Sequence, residues 1–302
     1  MFDRLTLAED LVDCRGEVIG RRGLVVSPEA IAEAGQAAPP LPRRLLGDTR
    51  LACDVRAALD APVYAPLFAR ADARAAVERM LLAATLPDVL LEELEVIRRE
   101  LPIVHQHAFA TAAVAIRMLL AAVGPAQALP SLAAAALLHD LGMRHVPRSL
   151  HLRHGAALGA GDAHRIAAHP LLGAYHLAVV LGVHPAVSAA RSHHWRCGQG
   201  YPGLAAPPSR AIEVIAVASA FAALTHPRPY RSSAYDARGA ADVLVAEVVA
   251  QHADGNTVKL LVHALRGGSG DPRDVRFGVP REGHAPDENR YAPVSAPARS
   301  LL

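Results

Sequence analysis

The stretch Ser131–Gly142, SLAAAALLHDLG, is a run of small and branched apolar residues that ends in an adjacent histidine and aspartate. Alanine and leucine are among the strongest helix formers, so the run predicts a buried helix. His139 and Asp140 at its end are the anomaly. Two neighbouring ionisable groups on an apolar helix are costly in a dry interior unless they are well hydrogen-bonded or coordinate a cation. A neutral imidazole is a good nitrogen ligand, and the carboxylate beside it can bridge two metal ions. The dipeptide alone is a weak signal, since roughly one such pair is expected by chance in a chain this rich in histidine.

Partners for the pair come from elsewhere in the chain. Ten of the 16 histidines lie between His139 and His194. His169-Pro170 opens another apolar helix, His193-His194 sits near the end of the helix that follows, and His105 and His107 begin an earlier one. Imidazoles at the ends of separate helices can converge on one point, as in bundle-core metal sites. His145, His151, His154, His164, His176 and His184 show no partner in the sequence and are expected to be solvated or capping rings.

The rest of the chain bounds the class. Its 302 residues are 52% hydrophobic and only 4% aromatic, so the core is built from Ala, Leu and Val and an all-α fold is expected. The net charge of +2, without long runs of one sign, argues against binding long nucleic acid. Lys259 is the single lysine, so abundant arginine reflects composition before function. Cys14, Cys53 and Cys197 have no metal-site or disulfide spacing, which fits a reducing cytoplasm. The start MFDRLTLAED has no apolar signal core, and Arg117, Pro125 and the His139-Asp140 pair interrupt the runs that might span a bilayer. A cytoplasmic protein without a membrane partner is expected.

Three regions are expected. Residues 1–75 read as a small α/β module with a proline-rich connector, QAAPPLPRR. Within it Val18-Ile19 and Leu24-Val26 are β-prone, and Ser27-Pro28 are an N-cap and first helical position. Residues 76–267 form a helical domain with apolar residues at three-and-four spacing, most helices closing at Gly or Pro: Gly124, Gly142, Gly182, Pro227. Residues 268–302, rich in Gly, Pro and charge, are expected to be disordered.

The series His107, His139-Asp140-Leu-Gly, His169-Pro170, His193-His194, Gly200-Tyr201-Pro202, Phe221-Ala-Ala-Leu-Thr225 and Arg228-Pro-Tyr-Arg231 resembles the HD-GYP family, a subgroup of the HD superfamily of metal-dependent phosphohydrolases. The likeness covers roughly residues 100–265. It implies an HD-domain-like helical bundle and a site for divalent transition metal, iron or manganese, as one or two ions. Its implied substrate is cyclic di-GMP or a related phosphoester. By this resemblance one ion takes Asp140, His169, His193 and His194; the other takes His107, His139 and Asp140, the bridging and catalytic carboxylate. His107 fits the family's helix better than His105. Gly200, Tyr201 and Pro202 form a loop beside the substrate, with Arg228 and Arg231 placed to contact its phosphates.

The chain departs from the family pattern where chemistry is concerned. Met143 stands where the family has a lysine near the substrate phosphate, and a thioether carries no charge. Arg144 is next to it but points about 100° away on a helix. Trp195 replaces the glutamate that follows the histidine pair, Ser219 the aspartate that would complete the second site from the helix running into Ala223-Leu224-Thr225, and Ala222 a further aspartate; Ile103 stands where three-metal members have glutamate. A serine hydroxyl is a poor ligand compared with a carboxylate. The expectation is a metal-binding domain with reduced or lost hydrolysis and a signalling or regulatory role, with protein partners. An active phosphodiesterase with an altered site, and a metal-free interaction scaffold, are the alternatives.

Overall fold

In the computed structural model, which describes residues 3–151, 159–227 and 233–278, helices carry nearly all the regular structure. The N-terminal strands β1 (Leu5–Thr6), β2 (Leu11–Val12), β3 (Val18–Gly20) and β4 (Val25–Val26) form two antiparallel ladders, β1 with β4 and β2 with β3. The two β-prone pieces of the sequence are thus strands, each paired with an upstream partner rather than with the other. Helix α1 (Pro28–Ala37) starts at Ser27, whose hydroxyl accepts the Ala30 N–H as an N-cap. Strand β5 (Arg43–Leu45) then pairs with β6 (Thr85–Pro87), and between them run α2 (Ala52–Asp60), α3 (Ala65–Phe68) and α4 (Ala71–Leu82). These last helices pack on the main bundle, so its helical packing extends upstream of residue 76.

The bundle proper consists of α5 (Asp88–Glu100), α6 (Pro102–Val123), α7 (Leu129–Leu138), α8 (Arg148–His151), α9 (Ala160–Ala167), α10 (His169–Leu181), α11 (Pro185–Ser192), α12 (Arg210–Thr225), α13 (Ala237–Val249) and α14 (Gly255–Leu265). At its centre lies α6, buried along most of its length and packed against α12, α7, α14, α2, α4 and α5. It is long and apolar enough to cross a bilayer, but here its apolar surface is spent on neighbouring helices. Alanines on the facing sides, such as Ala112 and Ala113 of α6, Ala133–Ala136 of α7 and Ala218 and Ala222 of α12, are all 1% exposed or less. Small side chains let these helices approach closely without voids. The fold is an all-α bundle with a small N-terminal strand module.

Two backbone features position the site. Helix α7 ends at Leu138, not at Gly142; His139 is its C-cap, Asp140 follows at φ −104°, and Leu141–His145 form a 3-10 turn. The reason is close packing: a Cβ on Gly142 would overlap the His169 carbonyl oxygen and lie 2.7 Å from the Gly173 nitrogen of α10. Gly142 therefore serves a backbone-to-backbone contact, whereas Gly124 and Gly182 are left-handed stops at φ +66° and +71°.

At the other end, residues 268–278 do not follow the disorder that composition predicts. Asp271 caps a 3-10 turn at Pro272–Asp274, the Lys259 ammonium donates to the Arg273 carbonyl, and His263 Nε2 donates to the Gly270 carbonyl. Polar anchors on α14 hold this piece, and Val275 and Phe277 pack against the core. The remainder of the expected tail, residues 279–302, lies outside the described residues.

Candidate metal centre

Five histidines and one aspartate meet where the ends of α6, α7, α10, α11 and the turn after α7 come together. Asp140 is the hinge of the arrangement. Its Oδ1 lies 3.2 Å from His169 Nε2 and 3.3 Å from His193 Nε2. The His169 Nε2 is in turn 3.1 Å from His193 Nε2 and 3.2 Å from His194 Nε2. The other oxygen, Oδ2, faces His107 Nε2 at 3.8 Å and His139 Nε2 at 4.0 Å, and those two nitrogens are 3.3 Å apart. Asp140 thus gives one oxygen to each of two clusters, Asp140 with His169, His193 and His194, and Asp140 with His107 and His139.

The tautomers of the rings are fixed by main chain. A carbonyl can only accept, so Nδ1–H of His139 donates to Ala136 O (2.7 Å), that of His169 to Ile166 O (2.6 Å) and that of His193 to Ala190 O (2.9 Å). In each the Nε2 lone pair is left facing the cluster. Lone pairs and a carboxylate facing one another at 3.1–3.3 Å repel unless positive charge sits among them. Donors bound at about 2.1 Å to one ion stand about 3.0–3.4 Å apart, so these separations match the edges of a coordination shell.

Electrostatics favour a cation over a set of protons. Burial pushes the His139 ring down to about 4, against the pull of Asp140. Burial and then the His193 and His169 rings hold His194 well below its ordinary value. Burial works to raise the Asp140 carboxyl, but it stays well below the usual carboxylate range wherever His169 and His193 carry a second proton on Nε2 to donate to it, and a cation among those nitrogens would act in the same sense. Neutral rings around an ionised carboxylate are the donor set that a divalent transition metal takes. The residues present fit such an ion.

The second cluster is poorer. Ser219 Oγ, on α12, stands 3.3 Å from His107 Nε2 where a carboxylate would complete the set, and Ala222 one turn on is fully buried. His105 does not join: it faces Asp54 of α2 at 3.4 Å. The loop after α11 closes over the first cluster. Tyr201 stacks on His194 with centroids 4.3 Å apart, and a Cβ on Gly200 would overlap the His194 carbonyl, so the glycine lets the loop fold back; Pro202 is buried behind it. Trp195 is half-buried at the start of this loop. Arg228 and Arg231 lie outside the described residues, as does His154.

Arg144 is committed elsewhere and does not stand in for a cation at the Met143 position. Its Nε pairs with Glu93 Oε2 of α5 at 2.5 Å, and Glu93 has no exposed surface. Burial pushes the Glu93 carboxyl up to about 7 even with Arg144 beside it and the Cys14 N–H donated to Oε1 at 2.6 Å. His176 Nε2 lies 3.9 Å from Glu93 and its Nδ1 is 3.1 Å from His145 Nε2. The expectation of solvated or capping rings therefore fails for His176, which is fully buried in this network. It holds for His184, which caps α11 by accepting the Ala186 N–H. His151 donates to the carbonyls of Met143 and Val146.

Two residues near the second cluster were not singled out by sequence. His226 is the C-cap of α12, its ring 6.4 Å edge-on from that of His107. Tyr64, buried after α2, places its hydroxyl 3.1 Å from His226 Nδ1. The signal for His226 was its spacing, seven residues after Ser219 and so on the same helical face; Tyr64 carried none.

The HD domain family matches residues 91–257 of the chain. A solved structure, Bd1817, an HDG"Y"P protein from Bdellovibrio bacteriovorus, is similar at 16% identity and a TM-score of 0.43, over 72% of this chain and 78% of that one. No curated protein matches. The family match spans more than half of the sequence and takes in His107, His139, Asp140, His169, His193 and His194, so the chain belongs to the HD domain family.

Proposed function

We propose that the chain is a metal-binding signalling domain of the HD-GYP type, related to cyclic di-GMP phosphodiesterases, in which binding of the phosphoester outlasts fast hydrolysis. The observation that supports it is the inequality of the two clusters around Asp140: donors at 3.2–3.3 Å from Oδ1 on one side, 3.8–4.0 Å from Oδ2 with a serine on the other. Asp140, His169, His193 and His194 would hold one divalent iron or manganese ion, and His107 and His139 with Asp140 a second. Such ions, when bound, supply polarisation of a phosphoryl oxygen and activation of water. One carboxylate facing two cations leaves a strongly positive site, which draws a phosphodiester. Among the described residues around the clusters, help for the developing charge is scarce. Met143 offers no ammonium, Arg144 is held by Glu93, and Trp195 and Ala222 offer no carboxylate. Preorganised charge of that kind is worth about 100- to 1000-fold in rate per group removed.

The reading is tested by measuring metal content and cyclic di-GMP turnover on one preparation loaded with manganese or iron. Metal retained on dialysis, with tight binding of the dinucleotide and turnover at least 100-fold below that of HD-GYP enzymes with all carboxylates in place, is the expected outcome. Turnover equal to theirs supports the active alternative instead. Protein that stays metal-free after loading leaves only the scaffold. His194→Ala should release the ion of the better cluster, while His184→Ala should keep it.

A further inference from the structure

Away from the histidines, the fold gathers positive side chains around a cleft. Cys14 in the turn between β2 and β3, the C-terminal part of α5 and the residues that follow α7 enclose a space of about 210 Å³. Its walls carry Arg99, Arg144 and Arg148 with a single carboxylate, that of Glu100. Val96, Ile97 and Val146 supply apolar lining. Cys14 adds no negative charge, because burial and then the neighbouring Glu93 push its thiol up to about 11.

The three guanidiniums are held differently. Arg144 Nε is paired with Glu93 Oε2 at 2.5 Å, while its two Nη groups donate no hydrogen bond among the described residues. A guanidinium fixed at Nε with both Nη donors unspent is preorganised for an oxyanion. Arg148 is exposed and has no ion-pair or hydrogen-bond partner among the described residues. Arg99 is paired with its neighbour Glu100 in an exposed contact, the kind that solvent makes weak. An incoming anion thus displaces little. A phosphate monoester carries close to two charges and three outer oxygens for guanidiniums to share, where a carboxylate brings one charge and two oxygens. We propose that this cleft binds the phosphoryl group of a small phosphate monoester through Arg99, Arg144 and Arg148, with the apolar lining taking the adjoining carbons. The site joins the N-terminal module to the turn that follows Asp140. No lining residue belongs to either histidine cluster, so the inference does not rest on the metal reading.

The probe is inorganic phosphate, titrated calorimetrically at low ionic strength into the full chain kept metal-free with a chelator. Chelation removes ions at the histidine clusters as a source of signal. Wild type should bind one phosphate with a dissociation constant of about 1 mM or tighter, and acetate at matched ionic strength at least about tenfold less tightly. Arg148→Ala and Arg99→Ala should each weaken phosphate about tenfold, the worth of one hydrogen bond to a charged group. Both side chains are exposed, so circular dichroism should show the fold unchanged; Arg144→Ala would strand the buried Glu93 and is not used. Arg273→Ala removes the same charge outside the cleft lining and should leave binding as it is. A wild type that binds no phosphate overturns the inference, as does either cleft variant that binds it as tightly as wild type. Acetate bound as tightly as phosphate overturns the ligand class. Equal weakening by Arg273→Ala would reduce the effect to net charge and overturn the site.

Discussion

Asp140 shows how much rests on one side chain, because each of its oxygens faces a different set of imidazoles. Cation binding there has to compete with protons, and burial has already weakened the protons. With His139 pushed down to about 4 and His194 well below its usual value, these rings stay neutral in mildly acid solution. Manganese or iron should therefore be retained below the ordinary imidazole value of about 6.5. Dialysis over a pH series with metal analysis checks this, and a release midpoint at or above 6.5 would contradict it. These residues were largely legible in sequence, because an ionisable pair on an apolar helix is conspicuous. Spacing alone does not rank His107 above His105; that choice comes from the resemblance to the family's helix. His105 and His107 differ by two positions, yet one meets Asp54 and the other the cluster. His176 looks like a surface ring in sequence, since its partner Glu93 is far away along the chain.

Among elements, the contact between the turn after α7 and the start of α10 sets the geometry of the better cluster. Gly142 and Gly173 touch main chain to main chain, which holds Asp140 and His169 in register. Gly142→Ala should therefore cost on the order of 3 kcal/mol, as forced overpacking does, and lower metal affinity along with it. Thermal unfolding and metal titration of the variant read both effects; an unchanged melting temperature would refute the packing argument. The same turn is tied to α5 through Arg144 and Glu93, and this pair has a pH signature. The Glu93 carboxyl is raised in the folded chain from an ordinary 4.5 to about 7, so its contribution is fully present below 4.5 and is lost as pH rises towards 7. His176 is depressed to about 3, so its contribution is present above 6.5 and fades as pH falls. Glu93→Gln should remove the first loss, and its stability relative to wild type should rise between pH 4.5 and 7. Denaturant titrations at several pH values measure that difference, and a constant difference would rule the assignment out. None of this network could be read from periodicity, because helical spacing does not reveal which buried polar groups meet.

Over the whole molecule, helix content and the order of the motifs were plain in the sequence, since alanine-rich amphipathic runs and histidines at helix ends are local signals. The strand pairings, the early entry of α2 to α4 into the bundle and the anchoring of residues 268–278 were not, because each depends on contacts between distant segments. The second cluster provides a test at this scale. Its backbone lies in place, and Ser219 Oγ already sits 3.3 Å from His107 Nε2. Ser219→Asp should thus raise affinity for the second ion without altering the fold, as metal titration and circular dichroism would show; no gain in affinity would mean that the helix is set too far away. The close contact of Gly142 with α10 carries a wider consequence. Because the site is framed by main chain rather than by the reactive groups themselves, its chemistry can be rewritten one side chain at a time while the frame stands. The same bundle can then work as a catalyst or as a receptor, and the difference between them is a handful of point substitutions.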